Sequence, residues 1–133
     1  IDAAGETNDG GIAGALPVYR TLTIGAAPIA FCSIDDEGEY NRLGNRTLFL
    51  MNVPSMQPVI LTMTATSNPP DTDPDFYIYE QGRLIARAQG STPNSEVFTR
   101  NFDAGTYLVD AYDFDNVQTG GDSRDSCFTL SAQ

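Results

Sequence analysis

Residues 57–66 read QPVILTMTAT, and the apolar side chains recur at every second position. Val59, Leu61, Met63 and Ala65 share one side of an extended backbone, and Ile60, Thr62, Thr64 and Thr66 share the other. A period of two does not fit a helix, so this run is a strand with one face turned to a core. The same pattern, cut by Gly, Pro, Asn and Asp, returns along the chain in PVYRTLTIG, AAPIAFCSI, TLFLMNV, DFYIYE, RLIARA, SEVFTRNF, TYLVDAYDF and SCFTLSAQ. Turn signals recur roughly every 8 to 12 residues and no amphipathic helical stretch interrupts them, which predicts an all-β antiparallel β-sandwich, jelly-roll-like, of about eight strands. DFYIYE and RLIARA are separated only by Gln81 and Gly82 and form a tight hairpin. Gly105 is expected to supply a positive φ where the chain reverses before the next strand. Residues 1–15 are small, acidic and without periodicity, a flexible N-terminal arm or linker; residues 16–133 form the domain.

Composition narrows the function. Eighteen carboxylates against seven arginines give a net charge of −11, which repels nucleic-acid phosphates and anionic membranes. No apolar run approaches the roughly 18 residues of a membrane-spanning helix. Neither nucleic acid nor membrane insertion is expected. The sequence has no histidine and no lysine, which removes His-based triads, Cys-His dyads, the usual catalytic zinc sites, Schiff-base chemistry and a P-loop. A carboxylate pair of the glycosidase kind is the one catalytic device left, and among eighteen acids some such pair arises by chance. The reading is therefore not an enzyme. Beginning at Ile1, the chain reads as a mature or excised piece of a longer product. Cys32 and Cys127 lack CxxC spacing and suit one long-range disulfide; two buried thiols are the alternative. A disulfide places the chain in a secreted or extracytoplasmic setting.

Carboxylates suit calcium, which takes six to eight hard oxygen ligands. Asp71, Asp73 and Asp75 alternate on an extended segment and can converge on one side. They do not open an EF-hand, because Phe76 stands where Gly is required and Gly82 where the bidentate Glu belongs. Two readings stay open, a solvated turn, narrowly favoured, and a metal site. Asp113, Asp115 and Asn116, at a strand end, carry the same pair of readings. Asp35, Asp36, Glu37 and Glu39 adjoin Arg42 and Arg46 and are expected to form surface ion pairs. Tyr77, Tyr79, Tyr107 and Tyr112 lie on strands; they are structural rings or a surface for stacking on sugar or peptide, the structural role favoured.

Three motifs follow one another in a telling order: Asp75-Phe76-Tyr77-Ile78-Tyr79, Ala104-Gly105-Thr106-Tyr107-Leu108-Val109 and Phe128-Thr129-Leu130, preceded by EYNRLGNRTLFLMNVP. Residues 39–132 resemble the bacterial pre-peptidase C-terminal (PPC) domain family, related to the collagen-binding domains of secreted bacterial proteases. The resemblance implies a β-sandwich accessory domain beside a catalytic or adhesive module of the same polypeptide. It also implies calcium held by an acidic arm, here Glu6, Asn8 and Asp9, with loop carboxylates, and contact with an extracellular protein or polysaccharide. The acidic stretch DAYDFDNVQTGGDSRDS and the cysteine pair depart from the family pattern. A calcium-containing carbohydrate-binding module and, further off, a small glycan-active hydrolase are the alternatives.

Overall fold

The computed structural model describes residues 19–33, 45–66, 72–116 and 125–133. Among these residues there are nine strands: β1 (Tyr19–Leu22), β2 (Ile29–Ser33), β3 (Thr47–Val53), β4 (Gln57–Ala65), β5 (Pro74–Glu80), β6 (Arg83–Ala88), β7 (Ser95–Phe102), β8 (Gly105–Asp113) and β9 (Ser126–Ala132). One 3-10 turn, Phe114–Asn116, follows β8. Two sheets pack face to face, with strand orders β1-β3-β8-β5-β6 and β2-β9-β4-β7.

The topology is a set of nested antiparallel pairs around one turn. β5 pairs with β6, β4 with β7, β3 with β8 and β2 with β9, so the chain behaves as a long ribbon folded over on itself. That is the jelly-roll arrangement, as the strand pattern predicted. At the centre of the nest Gln81 and Gly82 have φ of 47° and 76°. Positive φ at both central positions is the two-residue hairpin geometry whose twist matches that of the flanking strands. Gly105 does not have positive φ and stands instead as the first residue of β8.

One strand departs from the antiparallel expectation. β1 runs parallel to β3, with Tyr19 opposite Leu48 and Leu22 opposite Met51. It is the ninth strand, added outside the eight nested ones.

Inward-facing residues follow the strand parity. Phe49, Met51 and Val53 of β3, Val59, Leu61 and Met63 of β4, Phe76 and Ile78 of β5, Val109 of β8 and Phe128 and Leu130 of β9 form one core. Burial of each such side chain stabilises the fold by roughly 1.5–3 kcal/mol. Ring pairs lock the layers, Phe31 to Phe49 at 5.3 Å and Phe76 to Phe98 at 6.2 Å, both edge to face.

Both open sides of the sandwich are closed by an arginine. Arg20 of β1 donates from Nη1 to the Ala30 carbonyl of β2 at 2.7 Å, its guanidinium 5.7 Å from the Phe49 ring. Across the molecule, Arg100 of β7 donates to the Ile85 carbonyl of β6 at 2.9 Å, 5.9 Å from the Phe102 ring. Each joins one sheet to the other and occupies an edge carbonyl that another strand could otherwise pair with.

Cys32 and Cys127 are bonded to each other and stand directly opposite in the β2–β9 pair. The disulfide joins the first and last strands of the nest. Constraining a loop of about a hundred residues stabilises a fold by up to ~4.7 kcal/mol on the chain-entropy model. Replacing both cysteines by serine is therefore expected to lower the unfolding free energy in urea by about 2–5 kcal/mol. A double variant as stable as the oxidised protein would show that the bond constrains nothing that folding must order.

Candidate functional site

β5 and β8 are central in the five-stranded sheet, and their parity decides what the outer face shows. In β5, Phe76 and Ile78 enter the core, so Asp75, Tyr77 and Tyr79 point outward. In β8, Tyr107, Val109 and Ala111 go inward, and Thr106, Leu108, Asp110 and Tyr112 go outward. Leu48 and Leu50 of β3 and Tyr19 of β1 extend this face. Tyr19 is 50% exposed and Leu50 38%.

Between them runs a groove of about 550 Å³ lined by Tyr19, Leu48, Leu50, Tyr79, Leu108 and Asp110, among others. A second hollow of about 530 Å³ shares Leu50 and Thr106 with the first and continues past Leu22 and Asn52. The two form one furrow across β1, β3, β8 and the end of β5.

Beside the furrow the rings and guanidinium groups stack. Arg46 lies 4.4 Å from the Tyr112 ring centroid and 5.5 Å from that of Tyr77, and Arg87 lies 5.8 Å from Tyr77 on β6. Tyr77 meets Tyr112 at 5.4 Å and Tyr79 at 6.4 Å. Arg46 also donates to Asp110 Oδ2 at 2.8 Å. Burial holds the Asp110 carboxyl above its ordinary range, with the Arg46 guanidinium pulling the other way.

Asp75 sits beneath this stack, 3% exposed. Tyr112 donates its hydroxyl to Asp75 Oδ2 at 3.3 Å, and Gln89 donates to the hydroxyls of Tyr77 and Tyr112, each at 3.2 Å. Asp75 Oδ1 has no hydrogen-bond partner among the described residues. Burial first, then the charge of Asp73, pushes the Asp75 carboxyl up to about 7.

No family model and no curated protein sequence matches the chain. Solved structures do. The pre-peptidase C-terminal domain of a collagenase from Bacillus anthracis superposes with a TM-score of 0.66 over 90% of this chain and 99% of that one, at 14% identity. The fold is that of a PPC domain. PliG of Aeromonas hydrophila, a periplasmic inhibitor of g-type lysozyme, gives a TM-score of 0.47 at 12% identity, covering 87% of this chain and all of its own. A beta-glucosidase from Paenibacillus barengoltzii gives 0.39 at 11% identity, with 87% of this chain matched to 11% of the enzyme.

The PPC fold explains the Asp-Phe-Tyr-Ile-Tyr run physically, since the two apolar members fill the core while the acid and both tyrosines face out. For two of the four tyrosines read as structural rings or a stacking surface, burial decides against the surface. Tyr107 is 2% exposed, packs on Phe102 at 4.9 Å and donates its hydroxyl to the Asp103 carbonyl four residues upstream at 3.0 Å. That is a tyrosine-corner contact holding the turn before β8. Tyr112 does lie on the outer face but is 1% exposed, covered by Arg46, Tyr77 and Gln89. Tyr77 and Tyr79 are half-buried and remain on the face. Tyr19 joins them; its place on a face-extending parallel strand left no local signal beyond strand alternation.

The calcium candidates fare differently. Asp71, the arm residues Glu6, Asn8 and Asp9, and Asp35, Asp36, Glu37, Glu39 and Arg42 lie outside the described residues. Asp113 is a hub of the protein's own hydrogen bonds. Its Oδ1 accepts from the Asp73 and Asp115 amides at 3.1 and 3.2 Å, and its Oδ2 from the Ser126 hydroxyl at 2.7 Å. Asn45 clasps the Asp113 backbone at both amide and carbonyl, and is itself hydrogen-bonded by Ser33, which Asn116 reaches at 2.9 Å. Asp73 stands near Asp115, Asp113 and Glu96, and burial together with these charges raises its carboxyl above the ordinary range. Even so, no three acidic side chains among the described residues are grouped so as to hold a metal ion.

Two outcomes are expected. The raised Asp75 carboxyl contributes stability that is full below its unfolded value near 3.8 and is lost as pH rises through about 7. Asp75→Asn removes that dependence. The wild type, but not the variant, loses about 1–3 kcal/mol between pH 4 and pH 8 from this site, read as the difference of the two urea-unfolding curves. Parallel pH profiles would show that Asp75 is not a buried acid. Asp113→Ala, leaving three donors without their acceptor, is expected to cost about 2–4 kcal/mol equally in chelator and in calcium; a loss confined to calcium buffer would make Asp113 a metal ligand after all.

Proposed function

We propose that the chain is a non-catalytic accessory domain of a secreted protein, whose five-stranded sheet carries an extracellular polymer on its outer face. The observation that carries this reading is the furrow, where Tyr19, Leu48, Leu50, Tyr79 and Leu108 give an apolar and aromatic surface that no other described element covers. Apolar groups that line one continuous groove, rather than lying singly, are a mark of a binding surface. Tyrosines suit the task, because each ring offers area with a polar rim. The absence of histidine and lysine supports binding over catalysis.

The similar PPC domain belongs to a collagenase, and a place beside a catalytic or adhesive module of one polypeptide is the role proposed here. The disulfide supports an oxidising, extracytoplasmic setting. No helix among the described residues is long and apolar enough to cross a membrane.

Co-sedimentation with insoluble collagen, cellulose, chitin and an acidic-polysaccharide gel tests the reading. The protein is expected to be retained on at least one, and Tyr79→Ala or Tyr19→Ala, with unchanged melting temperature, to weaken retention about tenfold or more, as centrally placed aromatic anchors do. Retention on none, or variants that bind as well as wild type, would remove the outer face as a binding surface.

A further inference from the structure

The furrow lies across the strands rather than along one of them, and the strand registers set its members in rows. Thr21, Leu50, Leu108 and Tyr79 stand opposite one another in turn, one from each of β1, β3, β8 and β5. At ~4.8 Å between strands that row spans about 14 Å, long enough for an oligosaccharide rather than a single small ligand. Tyr19 and Leu48, a directly opposed pair, flank it on one side, and Asn52 and Thr106, another such pair, on the other. The furrow is thus banded, with rings and aliphatic groups toward one side and hydroxyl and amide groups toward the other, where Thr23 and Gln57 extend it. Thr21, Asn52 and Thr106 are exposed.

Charged residues make up 19% of the chain, yet the furrow presents no free charge. Among the described residues that line it there is no cationic side chain, and the one carboxylate, Asp110, is taken by Arg46. Gln81 lines one end. Its φ of 47° is one that Gly or Asn adopts at less cost, so a longer amide side chain stands there against the preference of the turn.

From this uncharged, banded furrow we propose that the polymer is a neutral polysaccharide. The inference rests on the outer face being the binding surface and adds the partner's chemical class. A sugar ring has an apolar C–H face and a rim of hydroxyls, and the furrow offers a counterpart to each. Tyr19 and Tyr79 supply flat, amphipathic rings for the first. Asn52, Thr106 and Gln81 supply groups that both donate and accept, as sugar hydroxyls do, for the second. A polyanion would meet a chain of net charge −11 with no cation in the furrow to offset it. A basic polymer would be drawn to exposed carboxylates, and none lines the furrow.

A peptide without charge is the competing polymer, and the sheet argues against it. Extended peptides pair with free main-chain groups at a sheet edge, and proline-rich ones dock in grooves lined by aromatic rings. Here β3 and β8, the floor of the furrow, are each paired on both sides, and the same two strands hold Tyr19 and Tyr79 apart. Recognition falls to side chains and to rings set singly, which suits successive sugar units.

Affinity electrophoresis of the whole chain in gels containing hydroxyethyl cellulose, glucomannan or xyloglucan, with alginate, dextran sulfate and gelatin alongside, tests the assignment at about 50 and 200 mM salt. At least one neutral glycan is expected to retard the protein, equally at both salt concentrations. Asn52→Ala with Thr106→Ala is expected to reduce that retardation about tenfold at unchanged melting temperature, and Tyr79→Ala likewise. Gln81→Gly, which the positive φ accommodates, is expected to reduce it without loss of stability. Retardation by alginate or dextran sulfate alone, weakened by salt and lost in Tyr79→Ala, would overturn the neutral class and leave the binding face standing. Retardation by gelatin and by no neutral glycan would overturn the sugar assignment. No polymer retarded, or retardation insensitive to all of these substitutions, would overturn both.

Discussion

The register between β5 and β8 is the constraint on which the rest depends. Pro74 stands opposite Asp113 and Glu80 opposite Tyr107, and every residue between them takes its face from that alignment. A slip of one residue would carry Asp75, Tyr77 and Tyr79 into the core and Phe76 and Ile78 into water. The Asp113 hub pins the register at its end. The Asp73 amide, the Ser126 hydroxyl and the Asn45 side chain all converge on one residue, tying together the starts of β5 and β9, the segment before β3 and the end of β8. A carboxylate that accepts several neutral donors holds more firmly than a neutral group could. Asp113, one of the acids read as a metal candidate, thus serves the scaffold, each carboxylate oxygen accepting from the protein's own donors.

Charge is sorted by this fold in a way that composition does not disclose. The outer face of the four-stranded sheet draws its outward residues from β2, β4, β7 and β9, and the only ionisable side chains in those strands, Glu96 and Arg100, belong to the inward set of β7. Glu96 is turned in and accepts from the Gly90 amide. The opposite face keeps Asp75 and Asp110 buried and sets Arg46 and Arg87 against its tyrosine rings. Two faces of one sandwich are thus chemically distinct, one neutral and hydroxyl-rich, the other aromatic with guanidinium groups against its rings.

Much of the framework was legible in the sequence because it depends on neighbours. Alternation gave the strand bodies, and Gln81-Gly82 marked the hairpin, since two positive φ angles are a local demand. The cysteine pairing was also readable, as two cysteines allow one bridge. Parity even placed Tyr77 and Tyr79 on the same side. What parity could not tell was which side was out and what stood above each ring. Tyr107 and Tyr112 look alike in the string, yet one is a core ring bonded to Asp103 and the other lies on the outer face under Arg46, contributed from 66 positions earlier in the chain.

By itself, the sequence determined the class of fold, the hairpin at its centre and the exclusion of histidine- and lysine-based chemistry, because periodicity, turn conformation and the inventory of functional groups are properties of the chain read locally. Only the tertiary structure decided that β1 would run parallel to β3, that Asp113 would serve the scaffold, and that Arg87 would stand over Tyr77 on a face whose own carboxylates are buried. Those outcomes depend on which strands lie side by side and which side chain covers which, and both are set by packing between segments tens of residues apart.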